Sequence, residues 1–254
     1  MPEIDLNSDL GEGFGLYRMG DDEAVLAQIT SANIACGFHA GDPRIMRNTV
    51  AAAVDKGVAV GAHPGFPDLQ GLGRRKMNLS PDEVYECVLY QVGALSAFVA
   101  AQGIRLQHVK PHGALYNQAA ADPVLAQAIC EAVRDFDPAL YLYGLANSAL
   151  TRAAEAAGLA VRHEVFGDRT YQADGSLTPR GHAGAMITDA DQAVAQVLCM
   201  LREGYVLALD GTRVPVRPDT LCIHGDQPGA AAFARAIREA LIHEGVTIRA
   251  AQSA

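Results

Sequence analysis

Short apolar segments alternate with longer amphipathic segments along the chain, and this alternation constrains the fold more than any other feature. The short segments have the length of buried strands, and the longer ones have the length and periodicity of helices. Strands that alternate with helices over short links form parallel sheets with right-handed crossovers. Strands are predicted at 4–6, 31–35, 58–60, 106–109, 139–143, 161–164 and 220–223, and helices at 22–29, 43–55, 81–102, 122–134, 147–157, 189–203 and 228–243.

Capping residues mark the ends of several predicted helices. The sequence SPDE at 80–83 places a serine N-cap before a proline, with acidic residues in the first turn. Glycines follow several helical patterns, as expected for C-caps. The segment LALDGTRVPV at 207–216 contains Asp-Gly between alternating apolar residues. It predicts a β-hairpin inserted before the last core strand.

Two architectures fit the alternation, a closed TIM-like barrel and an open doubly wound sheet. The segment SDLGEGFG at 8–15 lacks the GxGxxG spacing typical of dinucleotide-binding sheets, and the sequence contains no P-loop motif. No linker rich in proline or serine divides the chain. We therefore predict an α/β fold in which 1–254 form a single domain, a TIM-like (β/α)7 barrel with the inserted hairpin.

Composition argues against several classes of function. The chain has 29 acidic and 20 basic residues, a formal net charge of −9 and no dense basic cluster, so we expect neither nucleic-acid nor membrane binding. The 5 cysteines show no CxxC spacing and are expected to be free thiols. No secretory signal is visible, and the uncharged segment 87–104 is interrupted by polar residues, as in a buried helix. We expect a cytoplasmic protein.

Chemically reactive side chains gather where the predicted strands end. In a parallel barrel these ends meet at one mouth, where active sites form. Residues two apart on a strand also face the same side, and such pairs recur at three of these ends. The residues are Asn7, Asp9 and Glu12 after the first strand, His39 after the second, His63 at the third, Lys110 and His112 at the fourth, Glu164, Asp168 and Arg169 at the sixth, and His224 and Asp226 at the seventh.

Longer motifs resemble a known family. NSDLGEGFG, NIACGFHAGDP, GAHPGFPD, GRR, VKPHGALYN and EVFGDRTY occur in this order and span essentially the whole chain. They are similar to the motifs of the LamB/YcsF lactam-utilisation family. The resemblance implies a (β/α)7 barrel related to polysaccharide-deacetylase-type folds. It also implies that the chain acts as the A subunit of an ATP-dependent 5-oxoprolinase, with subunits B and C, in cleaving 5-oxo-L-proline to L-glutamate.

The implied reaction assigns roles to the residues at the strand ends. Water attack on the lactam carbon needs a general base, and the ring nitrogen needs a proton. The candidate catalytic residues are Asp9, His63, Lys110, His112 and Asp226. The candidate substrate-binding residues are Asn7, Glu12, His39, Glu164, Asp168, Arg169 and His224.

Cofactors follow from the same resemblance. Related deacetylase-like barrels bind a divalent ion through one Asp and two His, and Asp9, His63 and His112 occupy comparable strand ends. The complex consumes ATP, so ATP and nucleotide binding are expected of the assembly. Because the chain lacks a P-loop, we expect phosphorylation to take place on a partner.

Two other functions fit the same residues. One is a metal-dependent amidohydrolase or carbohydrate deacetylase that works alone on this barrel. The other is a non-catalytic subunit that only binds the lactam. The number of titratable residues at the strand ends favours catalysis over binding alone.

Overall fold

A closed parallel barrel forms the centre of the molecule. The structure is a computed structural model that describes residues 2–224 and 229–251. Seven strands pair in parallel around the ring, and the last of them pairs with both the sixth and the first. The predicted closed barrel is confirmed, since an open sheet would leave two edges. In barrel order these strands are β1 (Glu3–Leu10), β2 (Ser31–Ala35), β3 (Ala59–His63), β4 (His108–Val109), β5 (Tyr141–Leu145), β6 (Ala160–Phe166) and β9 (Thr220–Cys222).

Three further strands lie outside this ring. The predicted hairpin is confirmed as an antiparallel pair, β7 (Tyr205–Leu207) and β8 (Arg213–Pro215), before the last barrel strand. Gly211, in its turn, has φ 86°, a left-handed conformation that glycine adopts without strain. The last strand, β10 (Thr247–Ile248), pairs in parallel with the start of β1.

Helices cover the outside of the barrel, and their caps are those the sequence predicts. Ser80 and Glu83 form a complete capping box before the third helix. The side chains of Asp42 and Asp122 accept backbone N–H groups at two other N-caps. Within the described residues the helices are α1 (Asp22–Leu26), α2 (Pro43–Asp55), α3 (Pro81–Ala101), α4 (Gly113–Ala121), α5 (Pro123–Phe136), α6 (Ala149–Ala156), α7 (Ala190–Glu203) and α8 (Ala230–His243).

Helix α3 is long and apolar enough to cross a membrane by length and composition, and it is the one such helix among the described residues. It connects the neighbouring barrel strands β3 and β4 and packs against α5. Gln91, a residue of this helix, is buried, and its side-chain amide bonds to the backbone of Gly65. The helix therefore occupies the position of a barrel helix with one face buried, and the expectation of a buried helix holds for that face only.

The barrel interior is polar. Along β1, Ile4, Leu6 and Leu10 belong to the hydrophobic core between strands and helices. The alternate residues Asp5 and Asn7 bond instead to side chains of other strands inside the ring. This network lies directly below the barrel mouth, so it supports the residues found there.

Candidate active site

A cavity of about 1070 Å³ opens at the carboxyl ends of the barrel strands. Several predicted site residues line it, whereas Asn7, His39, Glu164 and Asp168 do not; they are buried behind it. These four therefore lie behind the residues that face the cavity, and their predicted substrate-binding role stays a prediction. Asp226 lies outside the described residues. The predicted residues that line the cavity are Asp9, Glu12, His63, Lys110, His112, Arg169 and His224.

Lys110 places a buried ammonium group among anionic partners. Its Nζ lies 2.9 Å from Asp9 Oδ1 and 2.8 Å from Glu164 Oε1. Burial alone would lower the pKa of Lys110, but Asp9, Cys222 and Glu164 outweigh it and hold that pKa well above its ordinary value. Burial likewise would raise the pKa of Asp9, but His63 and Lys110 hold it well below its ordinary value. Asp9 is therefore ionised at neutral pH.

His63 and His112 each bond one ring nitrogen to a backbone carbonyl. His63 Nδ1 lies 2.7 Å from the carbonyl oxygen of Lys110, and His112 Nε2 lies 2.8 Å from that of Leu72. A carbonyl only accepts, so both of these nitrogens are N–H donors. In neutral imidazoles the other nitrogens, His63 Nε2 and His112 Nδ1, then present lone pairs, and they lie 2.9 Å apart.

The carboxylate of Glu12 faces the place where His63 Nε2 and His112 Nδ1 approach each other. Glu12 Oε1 lies 3.1 Å from His112 Nδ1 and 3.2 Å from His39 Nε2. Burial alone would raise the pKa of Glu12, but His112 and then His39 hold it well below its ordinary value. Burial, followed by the charge of His112, lowers the pKa of His39 to about 3, so this ring is neutral.

These groups fit a divalent cation. Two ring nitrogens and one carboxylate oxygen this close need either a shared proton or a cation between them. The carbonyl bonds behind each ring are typical of metal-ligating histidines. One ligand atom from each of Glu12, His39, His63 and His112 lies within 4.8 Å of the others. Glu12 is the carboxylate that lies within reach of all three rings. Asp9 borders the group, since its Oδ2 lies 3.3 Å from His63 Nε2, a nitrogen that is 4.0 Å from Glu12 Oε1.

A second group, Asp9, Cys222 and His224, also has ligand atoms within 4.8 Å of one another. The ammonium of Lys110 already lies between two of them, 2.9 Å from Asp9 Oδ1 and 3.2 Å from Cys222 Sγ. This group is therefore neutralised by the protein's own cation and does not fit a metal ion.

His224 and Asp168 form a hydrogen-bonded pair beside the cavity. His224 Nδ1 lies 2.7 Å from Asp168 Oδ2, and the imidazole ring stacks on Phe166. Burial would raise the pKa of Asp168, but His224 holds it below its ordinary value. An ionised carboxylate only accepts, so Nδ1 is the donor and Nε2 is left to exchange protons.

The long connection after β6 forms one wall of the cavity, with residues 174–177 and 179–180 in the lining. Arg169 is buried and donates to the carbonyl oxygens of Thr178 and Ala185 in this connection. It therefore fixes the loop, and because it also lines the cavity the predicted contact with substrate stays a prediction. Other cationic side chains line the same cavity, namely Arg74, Lys76, Arg152 and Arg180.

Two further buried polar residues, which the predicted site does not include, lie below the mouth. Asn33 donates to Asp9, and His108 bonds to Asn33. The signal that could have found His108 is the period of two, since it lies two residues before Lys110. From the sequence it is indistinguishable from a core histidine, which it also is.

Known proteins resemble this chain over its whole length. The model of the LamB/YcsF family matches residues 4–254. A protein from Bordetella pertussis, named as the A subunit of 5-oxoprolinase, is 64% identical, covering 98% of this chain and 99% of the relative. A protein of the same name from Geobacillus kaustophilus is 58% identical, covering 98% of this chain and 97% of its own length.

Solved structures resemble the fold. The lactam utilization protein from Thermus thermophilus aligns with a TM-score of 0.93 at 52% identity, covering 98% of this chain and 100% of its own. The catalytic domain of a peptidoglycan N-acetylglucosamine deacetylase from Eubacterium rectale aligns with a TM-score of 0.51 at 11% identity, covering 99% of this chain and 89% of its own. The second likeness shows the fold alone, and it agrees with the expected deacetylase-like barrel.

Proposed function

The chain belongs to the LamB/YcsF family, and from that premise we propose that it is the ring-opening A subunit of a 5-oxoprolinase. Together with subunits B and C it cleaves 5-oxo-L-proline to L-glutamate with consumption of ATP. The observation that supports this most is an acid–base set facing one cavity, in a chain whose relatives of matching length carry the name of the 5-oxoprolinase A subunit. The alternatives, a deacetylase acting alone or a lactam-binding subunit, have no comparable support.

Hydrolysis of the lactam needs a base on one side and an acid on the other. Water adds to the carbonyl carbon and loses a proton, the carbon–nitrogen bond breaks, and the ring nitrogen takes up a proton. Asp9 lies at the cavity with Oδ1 bonded to Lys110 and Asn33. Its Oδ2, which lies 3.3 Å from His63 Nε2, is the oxygen that receives the proton from water. His224, oriented by Asp168, delivers the proton to the ring nitrogen.

The residues that would hold a divalent ion are Glu12, His63 and His112, with His39 behind them. Such an ion, when bound, supplies Lewis-acid polarisation of the carbonyl oxygen. Two imidazoles with one carboxylate favour zinc or another first-row ion over magnesium. His63 and His112 are then ligands, and the acid–base steps remain with Asp9 and His224.

ATP is used on the partner subunits, because the sequence has no P-loop. An unstrained amide is a poor electrophile, and phosphorylation of the lactam oxygen makes it a better one. When water adds and the carbon–nitrogen bond breaks, the phosphate stays on the new carboxyl group as an acyl phosphate, and a second water releases it as inorganic phosphate to give glutamate. The cations Arg74, Lys76, Arg152 and Arg180 line a cavity larger than the lactam itself requires, and they suit the phosphate and carboxylate of such an activated substrate. We expect this assembly in the cytoplasm, with 1–254 as one domain.

An omission assay tests the proposal. Glutamate and ADP are followed with the chain alone, with subunits B and C alone, and with all three together. We expect glutamate only from the complete mixture. Strong ATP-dependent turnover by the single chain, or glutamate formation without it, would contradict the assignment.

A further inference from the structure

We propose that Asn33 and His108, neither of which lines the cavity, are positioning residues that hold the Asp9 carboxylate in its working orientation. The inference rests on the proposed role of Asp9 as the base. It goes beyond the proposed function because it assigns the orientation of the Asp9 carboxylate to a row of hydrogen bonds inside the barrel.

Asn33 is the direct contact. Its side chain is fully buried, and Nδ2 lies 2.8 Å from Asp9 Oδ1 and 2.8 Å from Asn7 Oδ1. Both amide hydrogens are thus directed at oxygen atoms. Together with Lys110 Nζ at 2.9 Å, this bond fixes Asp9 Oδ1 from below and leaves Oδ2 toward the cavity.

His108 sets which way the Asn33 amide faces. Its Nε2 lies 2.7 Å from Asn33 Oδ1, and its Nδ1 lies 3.1 Å from Gln107 Oε1. Because the Asn33 NH2 group donates to Asp9 and Asn7, the Asn33 oxygen faces His108, and the tautomer with the proton on Nε2 donates to it. The ring is held in place by stacking on Tyr143, with centroids 4.1 Å apart. Gly61 leaves room for it, since a Cβ at this position would overlap the His108 ring.

The opposite end of this row of hydrogen bonds, at Asp5, requires the same orientation of the side-chain amides. Thr220 Oγ1 donates to Asp5 Oδ2 at 2.7 Å. Thr220 therefore accepts from Asn7 Nδ2 at 2.7 Å, which turns Asn7 Oδ1 toward Asn33 and Lys110. The side-chain amides of Asn7 and Asn33 therefore each have one orientation that satisfies these hydrogen-bond partners.

Removal of the His108 donor frees the Asn33 amide to turn and present its oxygen to Asp9. Two oxygens then face each other, and the carboxylate leaves its position. Because neither residue touches the cavity, the effect falls on the chemical step rather than on substrate binding.

The test measures kcat and KM of the complete complex with His108→Leu, His108→Gln and a matched control, His163→Leu. His163 is another buried barrel histidine that does not line the cavity; its ring bonds to Glu155 and to the backbone N–H of Asn147, not to Asn33 or Asp9. We expect His108→Leu to lower kcat roughly 10- to 100-fold, as for other supporting residues, with KM changed less than about twofold. His108→Gln retains an N–H donor and should recover most of kcat, and His163→Leu should leave it unchanged.

Asn33→Ser provides a second variant should His108→Leu fail to fold, with the same fall in kcat expected. An unchanged kcat in a folded His108→Leu or Asn33→Ser variant, or an equal loss in His163→Leu, would overturn the inference.

A second readout does not depend on turnover. Hydrogen exchange of the Asn33 side-chain amide, followed by NMR on the chain alone, should be slow in the wild type and faster in His108→Leu. If the wild-type complex forms no glutamate, the proposed function fails, and this exchange rate alone decides the inference. Equal exchange rates in the two proteins would refute it.

Discussion

A buried ammonium group requires partners, and Lys110 has them on two sides. It connects Asp9, which faces the cavity, with Glu164, which is fully buried. The attraction within such a group offsets a large cost of removing charges from water, so loss of one member leaves the others uncompensated. Lys110 therefore supports both the fold and the orientation of the carboxylate.

Lys110→Met should lower the free energy of unfolding by about 3–5 kcal/mol, because two buried carboxylates lose their counter-charge. Urea unfolding of the wild type and the variant measures this. Glu164→Gln in the same background removes one of the two charges and should restore part of the stability. A loss below about 1 kcal/mol, the value typical of exposed ion pairs, would contradict the buried arrangement.

The histidine cluster predicts bound metal. Protein purified without chelators should contain about one zinc or other first-row divalent ion per chain, measured by elemental analysis. His112→Ala should lose this ion, since it removes a lone pair at the point of convergence. His163→Ala, the control, should retain it. A metal-free protein that is fully active in the complex would show that these side chains bind no ion.

The Asp168–His224 pair predicts a pH dependence of stability. The pKa of Asp168 is lower in the folded protein than in the unfolded chain, so the pair stabilises the fold fully above the unfolded pKa, about 3.9. This contribution is lost as the pH falls through the folded pKa, below that value. Asp168→Asn should therefore be less stable than the wild type at pH 7, and the difference should shrink progressively as the pH falls below about 3.9. A difference in the free energy of unfolding that stays constant from pH 7 down through the acid range would contradict the assignment.

At the scale of elements, apolar segments predicted the barrel strands and capping residues predicted most helices. β1 runs to Leu10, beyond the predicted 4–6, because its polar residues are satisfied by other strands inside the barrel. Such partners come from residues far away in sequence, so a local pattern reads them as loop. α4 was missed because it is short, has a weakly amphipathic sequence and directly precedes the Asp122-Pro123 start of α5.

The prediction of the site was limited in the same way, because local sequence patterns do not show contacts between residues far apart in sequence. Period-two spacing correctly identified Asp9, Lys110 and His224 as residues facing the mouth. It did not separate residues that line the cavity from those behind it, such as His39 and Glu164, because burial depends on the loops above the strands. The Glu12-centred cluster depends on side-chain orientations that spacing does not specify.

The capping box of α3 provides a prediction about an element. Ser80→Ala removes the side-chain acceptor of the Glu83 N–H and should lower the free energy of unfolding by about 1 kcal/mol. Activity in the complex should not change, because Ser80 does not line the cavity. Asn78→Ala, an exposed change just outside the helix, is the control for thermal or urea unfolding. Equal stability of the two variants would show that the cap contributes nothing.

Side chains of opposite charge occupy different parts of the cavity. The base of the cavity holds the carboxylates and histidines, and the walls hold cationic side chains, although the chain carries a net charge of −9. This separation of charges suits a substrate whose reacting carbon faces the bottom of the cavity while its anionic groups face the cationic walls. It also separates ring opening, assigned to this chain, from ATP use, assigned to the partners.

The ratio of glutamate to ADP in the reconstituted complex tests that separation most directly. With Asp9→Asn, glutamate formation should fall at least roughly 100-fold, because the carboxylate that receives the proton is lost. ADP should still form in the presence of 5-oxo-L-proline, since the partners retain the phosphorylation step. A complex in which the variant forms glutamate at the wild-type rate, or in which ADP and glutamate fall together, would contradict the account.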